Sequence, residues 1–335
     1  MNISTTAASR PQALLARGVS LIEMMVTLVI GAFLMIGVIA IFSQSRSTYR
    51  TNDAVERLQE NARFAIATMQ PDIRLARNWG MHSIDALVVV PGGISVTCPD
   101  GTDISAWALD TGNGVEAADA AYNLPCPAFE DNYRAGTDVL VVRHASGQQT
   151  VPTNNVVQVQ GDRTISRLFD NGAPPAAPAC CTFDWQVHAY YIADSSSVGA
   201  DVPSLRRMTL VNGVLQDQEL IAGVEDLQVQ LGVDTGPAPD NSVERYVDAD
   251  HGLVDPADAA FDPDAKIIAV RLWLMFRAEQ AEGTELPDGN VIGFVDGNTY
   301  SYADVADYAP ADGFRRTLVN KTIVLRNYLG YTGLP

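Results

Sequence analysis

Hydrophobic positions divide the chain into three stretches with different periods. Residues 24–42, MMVTLVIGAFLMIGVIAIF, carry no charge. As a helix that run is long enough to cross roughly 30 Å of hydrocarbon. From 43 to 78 apolar residues recur three or four apart, at Val55, Leu58, Ala62, Ala65, Met69, Ile73 and Ala76. Arg50, Asp53, Glu56, Arg57, Glu60 and Arg63 lie between them. This spacing predicts that the helix continues as an amphipathic extension whose stripe lies on a globular domain. Pro71 predicts a kink or a restart near Gln70. After Gly80 the period falls to two, which predicts strands at 84–90, 138–143, 183–191, 227–233, 267–276 and 318–325. Asn212-Gly213, between 208–211 and 214–215, signals a two-residue hairpin. Within 183–191 the polar phase holds Asp184, Gln186, His188 and Tyr190, so His188 is expected to be solvated. Residues 98–135 are turn-rich, 171–179 form a Pro/Ala loop, and 234–264 are acidic with little periodicity. The sum is an α+β fold, a long N-terminal spine helix packed on a mostly antiparallel β-sheet domain.

Charge orients the apolar run. Arg10 and Arg17 precede it, so the N-terminus stays in the cytoplasm and everything after Phe42 is exported. An ordinary secretory signal would have a shorter core followed by its cleavage site. Here the candidate cleavage point, Gly18, stands before the run. Glu23 is the one acid in the apolar segment, and such a carboxylate costs about 2.5–3.5 kcal/mol on insertion scales unless paired or protonated. Cutting at Gly18–Val19 would place it one helical turn from a new amine on Val19. In a staggered bundle each Glu23 could then reach the amine of a neighbour, neutralising both charges and fixing register. The plainer alternative is a signal anchor whose Glu23 sits at headgroup level.

Composition removes several functions. With Lys+Arg 22 against Asp+Glu 40 the net charge is −18, which repels phosphate backbones and argues against nucleic acid as a partner. The cysteines, Cys98, Cys126, Cys180 and Cys181, form no C-x-x-C pair, so they read as disulfides of an oxidising compartment and not as a zinc site. Three pairings are open. A bond between adjacent Cys180 and Cys181 would be strained, and Cys98–Cys126 would close a loop around the turn-rich stretch. No nucleophile elbow, zincin motif or phosphate loop occurs, and His82, His144, His188 and His251 are scattered. The expectation is therefore a non-enzyme with no cofactor and no metal. A weak calcium alternative rests on Asp248, Asp250 and Asp255, which lack the spacing of an EF-hand loop. Trp107, Tyr122, Phe129 and Tyr133 are either buried in a loop-rich subdomain or displayed for adhesion.

Gly18-Val19-Ser20-Leu21-Ile22-Glu23 followed by the apolar helix resembles the class III signal of type IV pilins and type II secretion pseudopilins. The resemblance implies a type IV pilin-like ladle, and a membrane prepilin peptidase that cuts after Gly18 and methylates Val19. Val19 itself departs from the family, which usually has Phe there. Further blocks resemble PilW-type minor pilins: residues 136–143, 220–229, 232–235, 270–272, 314–316 and 325–327. Leu231 stands where an aromatic is expected. The resemblance implies a leader at 1–18, a transmembrane and fibre-core half helix at 19–42, an amphipathic half at 43–79 and an exported β-rich domain at 80–335 carrying the acidic loop 234–264. It also implies a minor pilin that initiates pilus assembly near the tip, serving twitching motility and surface attachment. Its partners would be other minor pilins, the major pilin, the prepilin peptidase and the inner-membrane assembly platform, with a large tip adhesin as a further candidate. Before assembly it would sit in the bacterial inner membrane with its globular domain in the periplasm, and afterwards in the extracellular fibre. The alternatives are a minor pseudopilin of a type II secretion system and a tip-displayed adhesive subunit.

Overall fold

A computed structural model describes residues 18, 20–177, 180–235, 241–254, 258–262, 265–285 and 291–327. One helix, α1 (Leu21–Leu75), opens the chain, which divides into two compact units at Asp53/Ala54. The first unit contributes the apolar part of α1. The second holds the remainder of α1 with the strands.

In the second unit the helical stripe is buried as its spacing predicts: Leu58, Ala62, Ala65, Met69, Ile73 and Ala76 are all at most 7% exposed. Val55, at the start of the stripe, is not covered. α1 runs through Pro71 as a single helix, so the predicted restart does not occur. The lost N–H costs one hydrogen bond, whereas Met69 and Ile73 on either side are fully buried and hold the backbone against the sheets. The helix ends at Leu75, short of the expected 79. Arg77 takes a positive φ of 62°, and its N–H leaves the helix to donate to the Arg143 carbonyl at 3.0 Å. The Leu75 carbonyl accepts from the Asn78 N–H at 2.8 Å, and the Asn327 side chain adds bonds to the Leu75 and Ala76 carbonyls at 3.1 and 3.0 Å, a C-terminal cap reinforced from the far end of the chain.

The larger sheet has eight strands: β1 (Val88–Val89), β2 (Val115–Ala118), β3 (Val139–Gln149), β4 (Asn154–Gly161), β5 (Ser166–Asn171), β6 (Thr182–Ala193), β7 (Ser204–Val211) and β8 (Val214–Ala222). All pairs are antiparallel except β1 with β5. The strand expected at 84–90 shrinks to β1, because a 3₁₀ turn takes Asp85–Leu87. Asn212 and Gly213, with φ of 50° and 76°, make the hairpin between β7 and β8; two positive φ values match the right-handed twist of the flanking strands. A second sheet is ordered β10-β9-β11-β16, from β9 (Val224–Asp234), β10 (Arg245–Asp248), β11 (Lys266–Arg277) and β16 (Arg316–Val324). β10 arises inside the acidic segment, where no strand is expected. Two small hairpins, β12 (Gly283–Glu285) with β13 (Val291–Gly293) and β14 (Tyr300–Tyr302) with β15 (Val305–Tyr308), lie between β11 and β16.

Burial on both faces of the larger sheet is what sequence periodicity misses. One apolar cluster joins the α1 stripe to Leu140, Val142, Tyr190 and Ile192 and to the β9–β11 sheet. A second joins Trp79, Val139, Val141, Trp185, Val187 and Tyr191 to the turn-rich stretch. The 98–135 excursion thus covers the face away from α1. Arg143 fastens it: wholly buried, it donates to the carbonyls of Trp107 and Asn113 and to Glu116 at 2.9–3.1 Å. The polar phase of β6 is accordingly not a solvated face. His188 and Tyr190 are buried, because the last turns of α1 lie over them. This corrects the expectation for His188.

Candidate assembly segment and a buried polar cluster

The segment expected to direct assembly starts with Gly18, where an added Cβ would meet nothing within 4 Å; Val19 lies outside the described residues. Ser20 caps α1. Its Oγ accepts from the Ile22 N–H at 3.3 Å, and its carbonyl accepts from Met24 at 3.1 Å. Glu23 stands in the first turn, three residues after the cap. That spacing and the positive end of the helix dipole both favour a carboxylate there. The large apolar side chains of residues 21–42 are 52–78% exposed. The segment is about 33 Å long at roughly 1.5 Å per residue, and its helix is long and apolar enough to cross a membrane. Side chains of this kind are stable only when covered by lipid or by other apolar helices.

In the second unit Cys98 bonds to Cys126 with Cα atoms 5.5 Å apart, and Cys180 bonds to its neighbour Cys181. The first bridge is buried inside the excursion. The aromatics there are engaged within the fold. Tyr122 packs on Tyr133 and Tyr191 with centroids 5.3 and 5.5 Å away and donates to the Cys126 carbonyl. Guanidinium groups cover the other two rings, Arg143 over Trp107 at 4.6 Å and Arg206 over Phe129 at 3.7 Å.

The calcium candidates do not converge. Asp248 accepts from Gln230 at 3.0 Å, Asp250 is exposed beside Asp119, and Asp255 lies outside the described residues. Asp119 instead neighbours Asp138, Asp250 and Asp304. Burial, with Asp304 and Asp250, raises its pKa to about 6. Asp138 is buried and accepts from the N–H groups of Ala120 and Val229 at 2.9 and 2.7 Å. Burial outweighs those bonds and pushes its carboxyl up to about 8, with Asp119 and Asp304 acting in the same direction.

A cluster that sequence spacing does not reveal joins Asp72 on α1, His144 on β3 and His188 on β6. Asp72 Oδ2 accepts from His188 Nδ1 at 2.6 Å and from the Tyr190 hydroxyl at 2.5 Å. His144 donates Nδ1–H to the Ala145 carbonyl at 2.9 Å, leaving Nε2 facing Asp72 Oδ1 at 3.9 Å. Burial pulls the His144 pKa down to about 4 from the ordinary 6.5. Despite its own burial, the bond and charge of His188 and the bond from Tyr190 hold Asp72 below the ordinary carboxylate range.

These shifts set a pH response. A histidine whose folded pKa is depressed stabilises the fold above its ordinary pKa, and that contribution is lost as pH falls from 6.5 toward about 4. A carboxyl whose folded pKa is raised stabilises the fold below its ordinary 3.8, and that contribution is lost as pH rises to about 8. Above pH 6.5 the histidine contribution levels off and Asp119, near 6, is mostly titrated, so the Asp138 slope dominates. The urea midpoint of the full-length chain in detergent should therefore fall between pH 6.5 and about 8. In Asp138→Asn it should fall less, and a level wild-type profile contradicts the assignment.

Residues 189–327 match a family described as type IV pilus-assembly protein W, PilW, and residues 15–39 match the prokaryotic N-terminal methylation motif. No curated protein matches the chain. Among solved structures, a type IV-like pilin from Thermus thermophilus aligns at 14% identity over 57% of this chain and 79% of that one, with a TM-score of 0.26.

Proposed function

We propose that this chain, a type IV pilin of the PilW family, is a structural minor pilin that helps to initiate pilus assembly and sits near the tip of the fibre. The observation that carries the reading is the helical segment 21–42: every large apolar side chain in it is exposed, and Glu23 is its one charge. Such a surface needs lipid first and a bundle of like helices afterwards.

On this reading a prepilin peptidase cuts Gly18–Val19 and the new amine is methylated. The apolar helix waits in the inner membrane with the β domain in the periplasm, then is drawn into the fibre. Glu23 sets register by reaching the Val19 amine of an adjacent subunit. The β domain supplies lateral contacts to other minor pilins and to the major pilin. Twitching motility and surface attachment follow from the assembled fibre, and no step requires catalysis by this chain.

The test is a deletion strain of the source bacterium, complemented with wild type or with Gly18→Leu. The deletion should carry few or no surface pili, and wild type should restore them. Gly18→Leu should persist as a longer membrane-bound precursor without restoring pili. Normal piliation in the deletion strain overturns the initiating role; if that strain also fails to attach to surfaces, a tip-displayed adhesive role replaces it.

A further inference from the structure

The cluster beneath the last turns of α1 has no part in the assembly reading, and its geometry is that of a metal site. We propose that Asp72, His144 and His188 bind one divalent transition-metal ion of the zinc class, tying the end of the spine helix to strands β3 and β6. A carboxylate oxygen and one nitrogen from each imidazole lie within 4.8 Å of one another, close enough to converge on a common ion by side-chain rotation. Two imidazoles and a carboxylate, with water completing the shell, is a donor set that suits zinc.

His144 supplies the second, independent observation. The residue is 2% exposed, and its Nε2 has no hydrogen-bond partner. The Nδ1–H bond to the Ala145 carbonyl fixes the tautomer, so in the neutral ring Nε2 is a lone pair pointing at the Asp72 carboxylate. Lone pair against carboxylate is repulsive, and a cation between them converts the repulsion into two bonds. A ligating histidine typically holds its other ring N–H on a carbonyl in this manner.

Neighbouring groups define how the ion would sit. Tyr190 donates to Asp72 Oδ2, and the Arg207 guanidinium lies 3.6 Å from the same oxygen. Arg207 competes for Oδ2, which leaves Oδ1, on the His144 side, as the oxygen that faces the metal. His188 must exchange its Nδ1–H bond to Asp72 for coordination, its proton moving to Nε2 of the same ring. The Asp72 side chain is 16% exposed, so the ion enters from its side of the cluster.

The experiment uses the full-length chain in detergent, stripped with a chelator and titrated with Zn²⁺ in a calorimeter. One ion per chain should bind, and thermal unfolding should move to higher temperature. Asp72→Asn and His144→Gln should each weaken binding by at least about tenfold and remove the thermal shift. Because either variant can lose its fold, the X-ray absorption edge of the zinc-loaded wild type is the second measurement, and it should show two imidazole ligands. No saturable binding at millimolar Zn²⁺, fewer than two imidazoles, or unchanged affinity in both variants overturns the proposal.

Discussion

Glu23→Val is expected to leave the chain processed and membrane-bound yet depleted at least about tenfold from sheared pili. The two effects separate because the carboxylate acts oppositely in the two environments. In the bilayer Glu23 is a cost of about 2.5–3.5 kcal/mol on insertion scales, so valine makes the membrane form more comfortable. In the bundle the same carboxylate would meet an amine on Val19 of another subunit, and losing about 1.4 kcal/mol of that pairing already reduces incorporation tenfold. A rival explanation has to be removed. Glu23 stands three residues after the capping Ser20, in the first turn of α1, where it also supports its own helix start by about 0.3–1 kcal/mol. Glu23→Gln retains the capping geometry and discards the charge. If glutamine restores wild-type levels in the fibre, the residue is a cap and the register mechanism fails. If glutamine is excluded like valine, the charge is what assembly requires. Immunoblots of sheared pili against membrane fractions read both outcomes.

The second large effect is in the β domain. Arg316→Ala should lower unfolding stability by about 3–5 kcal/mol, read as a shift of the urea midpoint at unchanged slope. The Arg316 guanidinium is 1% exposed and forks between two carboxylates. It donates to Glu225 at 2.6 and 3.2 Å and to Asp312 at 2.6 and 2.7 Å, and Asp296 lies 3.8 Å away. Glu225 and Asp296 are 5% and 1% exposed, so removing the cation leaves both buried anions without their balancing charge, although Asp296 keeps hydrogen bonds from Asn298 and Tyr300. Glu225 would retain Tyr308 at 3.0 Å and the more exposed Arg134 at 3.4 Å, too little to balance them. Arg316→Met combined with Glu225→Gln should recover part of the loss, because the penalty comes from unpaired charge more than from missing contacts. A single variant within about 0.5 kcal/mol of wild type would contradict this account.

How much was legible in the sequence follows from which physical signals are local. The α1 stripe from Leu58 to Ala76 was legible because a helix against a core must repeat at 3.6. The apolar run was legible because lipid tolerates no charge. Asn212-Gly213 was legible because a two-residue hairpin demands positive φ. The methylation motif is likewise a contiguous string. What could not be read is anything set by a partner remote in the chain. β6 alternates, yet both of its faces are covered, one by the end of α1 and the other by an aperiodic excursion. For that reason His188 looked solvated from its phase. Asp72, His144 and His188 come from three different elements, and nothing local to any of them announces the other two. β4 and β5 escaped notice because Gln158, Gln160 and Ser166 are buried polar residues in strands that read as mixed. The restart offered as one outcome at Pro71 did not occur for a related reason, since the packing that offsets the missing N–H belongs to the sheets.

The Asn327 side chain that closes the last turn of α1 lies 252 residues beyond Leu75. A polypeptide is made from its amino end, so the spine is among the first parts synthesised, and the Asn327 share of its cap arrives only when almost the whole chain has been delivered. Completion of the molecule is thereby registered in its earliest element: a prematurely terminated copy keeps the spine but lacks the Asn327 clasp.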